Sequence, residues 1–159
     1  MKRFLSFLFA LILLLPVWGQ AAGSKTYGLN ETAVCRNGMK ITATRIRESK
    51  GSSWNKPDSG KVFVLVQFVI ENNTGETQTI SSILMFDGYE DDFALDFDFG
   101  ALMEADNTID LTIAAGKKGR GEMGWQLERG WNELEIHFKP EAWGSEEIVF
   151  ILTRSDLTQ

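Results

Sequence analysis

Apolar residues recur at every second position along most of this chain, the period of a β-strand with one buried face. Residues 61–71 carry the strongest signal, with Val62, Val64, Val66, Phe68 and Ile70 on one face and Phe63, Leu65 and Val69 on the other. A strand apolar on both faces belongs in the middle of a sheet that is covered above and below. Upstream, residues 32–35 run into Asn37-Gly38, a strong hairpin signal. Residues 39–47 then start with Met39, Ile41 and Ala43 on one face before Ile46 falls out of phase. A bulge near Thr44 restores the register.

Beyond Asn72-Asn73-Thr74-Gly75, a turn, residues 77–86 continue as a strand whose parity breaks at Ser81-Ser82. Phe93, Leu95, Phe97 and Phe99 alternate with Ala94, Asp96 and Asp98, predicting a half-buried extended segment. Ile109, Leu111 and Ile113 alternate in the same way. Met123, Trp125 and Leu127 oppose Glu122, Gly124, Gln126 and Glu128; Leu134, Ile136 and Phe138 oppose Glu133, Glu135, His137 and Lys139. These pairs of sets read as inside and outside faces. Residues 148–152 are apolar on both sides, and only residues 100–105 offer a turn of helix. Many short strands without intervening long helices predict an all-β fold, an antiparallel immunoglobulin-like β-sandwich.

The first 21 residues break this pattern and are expected to be a secretory signal peptide. Lys2 and Arg3 precede an apolar run from Phe4 to Leu15, interrupted only by Ser6, and Gly19-Gln20-Ala21 is a small-x-small cleavage site. The run is short of the ~20 residues a membrane-spanning helix needs, so no transmembrane segment is expected in the mature chain. Cleavage after Ala21 leaves a short polar lead-in, residues 22–28, and one domain, residues 29–159. The expected location is secreted, extracellular or in the cell envelope.

Charge narrows the partners. Without Lys2 and Arg3 the chain has 14 basic and 22 acidic residues, a formal charge of −8, which argues against a nucleic-acid partner. The charges are unevenly placed: residues 25–61 hold eight cations and three carboxylates, whereas residues 62–116 hold eleven carboxylates and neither Lys nor Arg. Mutual pairing across an antiparallel sheet is the simpler reading, and an acidic face for a cation or cationic partner is the alternative. Cys35 is the single cysteine, so no internal disulfide forms, and the thiol is either buried or an intermolecular handle. Burial is the expectation.

Residues 87–98, from Asp87 to Asp98, form the densest acidic run, and in an extended segment Asp92, Asp96 and Asp98 share a face with Asp96 and Asp98 roughly 7 Å apart. Hard cations such as calcium take several oxygen ligands, so these three are the metal candidates, although the spacing is not that of an EF-hand and a solvated face is the simpler reading. Gly116-Lys117-Lys118-Gly119-Arg120-Gly121 lacks a P-loop ending and precedes a strand, so it reads as a hairpin turn. His137, the only histidine, forms with Glu135 at most half a metal site and is expected to be a structural surface residue. No Gly-x-Ser-x-Gly elbow is present. Trp125 alternates with core residues, whereas Trp54, Trp131 and Trp143 fall in loops or at strand ends, where they either cap the sandwich or form a recognition surface.

Four passages carry a family resemblance: residues 63–68 running into Glu71-Asn72-Asn73; Ile80-Ser81-Ser82 with Phe86 and Tyr89-Glu90-Asp91-Asp92-Phe93; Ala115-Gly116-Lys117-Lys118-Gly119 with Gly121 and Gly124-Trp125; and residues 131–138. In order and spacing they resemble the DUF4352 family of bacterial exported proteins, related to telokin-like protection antigens with an immunoglobulin-like sandwich. The resemblance implies fold and compartment and no catalytic residues. The expected function is therefore a non-enzymatic binding module of a bacterium, without a cofactor, for an unidentified protein or cell-envelope polymer. A calcium-dependent module using the acidic segment is the alternative.

Overall fold

The computed structural model describes residues 25–157. The expected signal peptide, residues 1–21, lies outside the described residues. In chain order the strands are β1 (Thr26–Tyr27), β2 (Thr32–Val34), β3 (Lys40–Ser49), β4 (Lys61–Glu71), β5 (Gln78–Ile80), β6 (Phe86–Glu90), β7 (Phe93–Leu95), β8 (Leu111–Ile113), β9 (Lys118–Glu128), β10 (Glu133–Phe138) and β11 (Ile148–Thr153). Two short helices interrupt them, α1 (Ser82–Met85) and α2 (Phe99–Met103).

The strands form two main layers. One is a five-stranded sheet in the order β1-β11-β10-β6-β7, the other a four-stranded sheet in the order β2-β3-β4-β9, and β5 and β8 pair separately. All pairs but one are antiparallel; β1 runs parallel to β11. The lead-in, expected to precede the domain, thus contributes a strand to it. As its double-sided pattern requires, β4 is central in its sheet, with β3 on one side and β9 in unbroken register on the other. The bulge lies where the phase breaks, between Ala43 and Arg45, and the Thr44 hydroxyl donates to the Gln67 carbonyl at 3.2 Å.

Aromatic rings join the layers. Phe68 of β4 stands 5.3 Å from Phe86 and 5.6 Å from Phe150, and Phe86 lies 5.0 Å from Phe138, spacings within the favourable range for ring pairs. Trp125 of β9 is buried against Gly88 of β6. Cys35 is buried as expected; burial, with Glu146 nearby, pushes its thiol up to about 12.

Three expectations change. The parity break at Ser81-Ser82 is the helical turn α1, whose Ser82 N–H donates to Asp110 Oδ1 at 2.9 Å. The aromatic alternation from Phe93 to Phe99 is not a half-buried strand, because β7 is a sheet edge and the chain then leaves for α2; Phe93 and Phe99 are exposed. Glu122, expected on a solvated face, is 1% exposed.

Part of the outer face of the four-stranded sheet is covered, which explains Glu122. Ala101 of α2 packs on Phe63 and Leu65, the second apolar face of β4, with Ala105 against them, and the chain after α2 reaches Glu122 through the Asp106 amide. Each such side chain, fully buried, contributes about 1.5–3 kcal/mol. Beside this small core, Glu122 Oε2 accepts from Arg47 Nη2 at 2.8 Å and from the Asp106 amide at 2.9 Å, while Oε1 pairs with Arg45. Arg47 Nη2 also donates to the Glu104 carbonyl at 2.8 Å. A buried carboxylate is tolerated because its oxygens are satisfied by two guanidinium groups and an amide.

Candidate functional site

At one end of the sandwich, chain segments far apart in sequence surround an open groove of about 500 Å³. The end of β3 supplies Glu48 and the following residue Lys50; the loop before β4 supplies Lys56 and Pro57; β4 begins with Lys61 and Val62; the β9–β10 turn supplies Arg129, and Arg154 follows β11. Hydrogen bonds fix this end. The Arg129 amide donates to the Gly60 carbonyl at 3.0 Å, the Lys61 amide to the Asp58 carbonyl at 3.0 Å, and the Arg154 amide to the Asn132 carbonyl at 3.2 Å.

The electrostatics of the groove are one-sided. Glu48 Oε1 accepts from Trp131 Nε1 at 3.0 Å and lies 3.4 Å from Arg154 Nη2. Among the described residues, Lys50, Lys56, Lys61 and Arg129 form no ion pair, nor do Lys25, Lys40, Lys117 and Arg120 elsewhere; what distinguishes the first four is that they line one concavity. The basic block at residues 25–61 is therefore divided. Its arginines on β3 turn to Glu122, as the pairing expectation had it, and its last three lysines turn to the groove.

The loop beside the groove is a tight turn. The Ser52 amide donates to the Asn55 carbonyl at 2.7 Å, and Asn55 Nδ2 donates to the Gly100 carbonyl at 2.9 Å and to Glu104 Oε1 at 2.7 Å. Gly51 permits the turn: its φ is +73°, and a Cβ there would stand 2.1 Å from the Asn55 carbonyl oxygen. Trp54, held within this turn, is 71% exposed, and Trp143, in the loop before β11, is 92% exposed. Trp131 is not a surface residue. It is 1% exposed, because the β9–β10 turn folds its ring into the main core with only Nε1 reaching Glu48.

The three metal candidates are not gathered. Asp92 sits in the β6–β7 turn at φ +72°, Asp96 is exposed beyond β7, and Asp98 caps α2 by accepting from the Ala101 amide at 2.7 Å and from Gln126 Nε2 at 3.0 Å. Among the described residues no group of three or more His, Cys, Asp or Glu is placed to hold a metal ion.

The chain now has its relatives. A family model described as a domain of unknown function, DUF4352, matches residues 27–148. The chain belongs to the DUF4352 family. Its fold is similar to that of the candidate lipoprotein ycdA of Bacillus subtilis, with a TM-score of 0.63 and 16% identity over 79% of this chain, which spans only 39% of that protein. It is also similar to the yjhA protein of Bacillus subtilis, with a TM-score of 0.62 and 14% identity over 80% of this chain and 99% of that one. A secreted protein of Mycobacterium tuberculosis, MPT63, matches with a TM-score of 0.56 and 11% identity over 82% of this chain and 98% of that one. At such identities the likeness is one of fold. No curated protein matches the chain in sequence. Among the described residues of this DUF4352 domain, no helix is long and apolar enough to cross a membrane.

One polar cluster outside the groove titrates. His137 bonds Glu135 through Nε2 and lies 3.0 Å from Glu147 through Nδ1, so the expected surface histidine is held between two carboxylates. Burial alone would lower its pKa, but the bonds to Glu135 and Glu147 and their charges outweigh that and raise it. A raised pKa stabilises the folded protein fully below the unfolded value of about 6.5, and this contribution disappears as pH rises through the folded value. Replacing His137 with Gln is expected to flatten the fall in melting temperature just above that pH, measured by scanning calorimetry between about pH 6 and 9.

Proposed function

We propose that this DUF4352 protein is an exported, non-enzymatic binding module of the bacterial envelope or surroundings, and that its ligand is anionic and occupies the groove at the end of the sandwich. The observation that carries the reading is the convergence of Lys50, Lys56, Lys61 and Arg129, all without ion pairs, on one concavity of a chain that is acidic overall. Leaving cations unpaired around a concave surface focuses a positive field there and favours an incoming anion. The exported location rests on the leader-like N-terminus and on fold relatives that include a secreted protein and a candidate lipoprotein.

The test is a charge reversal. Lys50→Glu with Lys56→Glu is expected to weaken retention on immobilised anionic envelope polymers at least about tenfold, equivalent to about 1.4 kcal/mol, with little change in melting temperature. Binding by the parent protein should also weaken as salt rises. Equal retention of parent and variant would remove the groove from the reading.

A further inference from the structure

Resting on that reading of the groove, we infer that its ligand is an acidic sugar polymer, one that carries hydroxyl groups and apolar ring faces as well as negative charges. Two features of the groove and one of the turn beside it select this class over a bare polyanion.

The first is Glu48. A site meant for an acceptor-only chain of anions would not hold a carboxylate among its cations, because like charges repel most strongly where water is partly excluded. Glu48 stays there, fixed by Trp131 Nε1 and Arg154 through Oε1, and its Oε2 has no hydrogen-bond partner among the described residues. A fixed acceptor beside free cations suits a ligand that presents hydroxyl donors and anionic acceptors together. The second is the kind of cation. Three of the four unpaired cations are lysines, drawn from separate positions along the chain. Lysine is a point charge on a flexible stem and lacks the planar fork that clasps one compact anion, so these residues suit charges spread along a chain. A groove of about 500 Å³ is roomy for a lone phosphate or carboxylate and lies in the range of sites that take larger molecules.

The third feature is Trp54. It does not line the groove itself but sits in the adjoining turn that Asn55 pins to α2, between the lining residues Lys50 and Lys56 in sequence, and it is 71% exposed. A large exposed ring carried on a pinned turn offers a flat apolar plate. The C–H face of a pyranose is complementary to such a plate. Polyphosphate has no equivalent surface.

The experiment is calorimetric titration of the purified protein with three probes: an oligogalacturonate, inorganic polyphosphate of matched charge, and a neutral hexasaccharide. The oligogalacturonate is expected to bind most tightly. Trp54→Ala should weaken it about five- to tenfold and leave any polyphosphate binding unchanged. Glu48→Gln should strengthen polyphosphate binding and not that of the oligogalacturonate. If polyphosphate binds the parent protein as tightly as the oligogalacturonate, or Trp54→Ala changes neither, the sugar-polymer inference falls while the anion reading stands. If neither charged probe binds more tightly than the neutral hexasaccharide, the anion reading falls with it.

Discussion

Glu122→Ala is expected to lower the free energy of unfolding by about 2–3 kcal/mol, less than the cost of breaking a wholly buried ion pair from one side because Arg45 and Arg47 reach solvent. The substitution removes a buried carboxylate of the outer face and leaves the Asp106 amide without its acceptor, while Arg45 keeps Asp106 at 2.9 Å and Arg47 keeps the Glu104 carbonyl at 2.8 Å. The loss should appear in urea unfolding as a reduced midpoint at unchanged slope. A change below about 1 kcal/mol would mean that water replaces Glu122 without cost, as in a surface pair. The same group adds a pH dependence. Burial would raise the Glu122 pKa, but hydrogen bonds from Arg47, the Asp106 amide and Arg45 outweigh it and hold the carboxyl below its usual range. A depressed carboxyl stabilises the fold above the unfolded value of about 4.3, and the contribution is lost as pH falls through the folded value. The acid limb of the stability curve should therefore shrink in Glu122→Gln.

The second large effect is expected at Gly88. A Cβ built there would lie 2.5 Å from Trp125 Nε1 and 2.8 Å from Cε2, and that indole is 1% exposed with no room to retreat. Gly88→Ala should cost about 2–3 kcal/mol by overpacking. Combining it with Trp125→Leu, which vacates the contested space, should give a double variant less destabilised than the sum of the two singles. Additive losses would show that the glycine is needed for its backbone alone.

These residues also mark where reading the chain succeeds and where it stops. Alternation placed Val62 to Ile70 in a central strand and located the bulge at Thr44, because both follow from the local period of the strand. The same alternation put Glu122 outward, correctly, on a face opposite Met123 and Trp125. What it could not convey is that α2 and the residues after it fold back over that face. That is a long-range event whose only local trace is small residues, Ala101 against Gly124, where a Cβ would stand 3.0 Å from the Ala101 carbonyl oxygen. For a similar reason the sequence leaves Trp131 open between capping the sandwich and facing a ligand: a residue at a strand end has no periodic neighbours to fix its side, and the turn carries it inward. The groove was illegible in a different way. Its cations come from β3, the following loop, β4, the β9–β10 turn and the residues after β11, and only the chain's course assembles them. The basic block at residues 25–61 was visible, but which of its members would find carboxylates depended on that course.

The parallel pairing of Thr26–Tyr27 with Val149–Phe150 joins the two extremities of the domain. During synthesis the first strand thus has no partner until the last has left the ribosome, and the five-stranded layer cannot close before then. Contacts of such long sequence separation form slowly. The five-stranded layer is thus the late-closing half of the sandwich, and its strands β1 and β10 wait on the chain's final segment for their full set of neighbours.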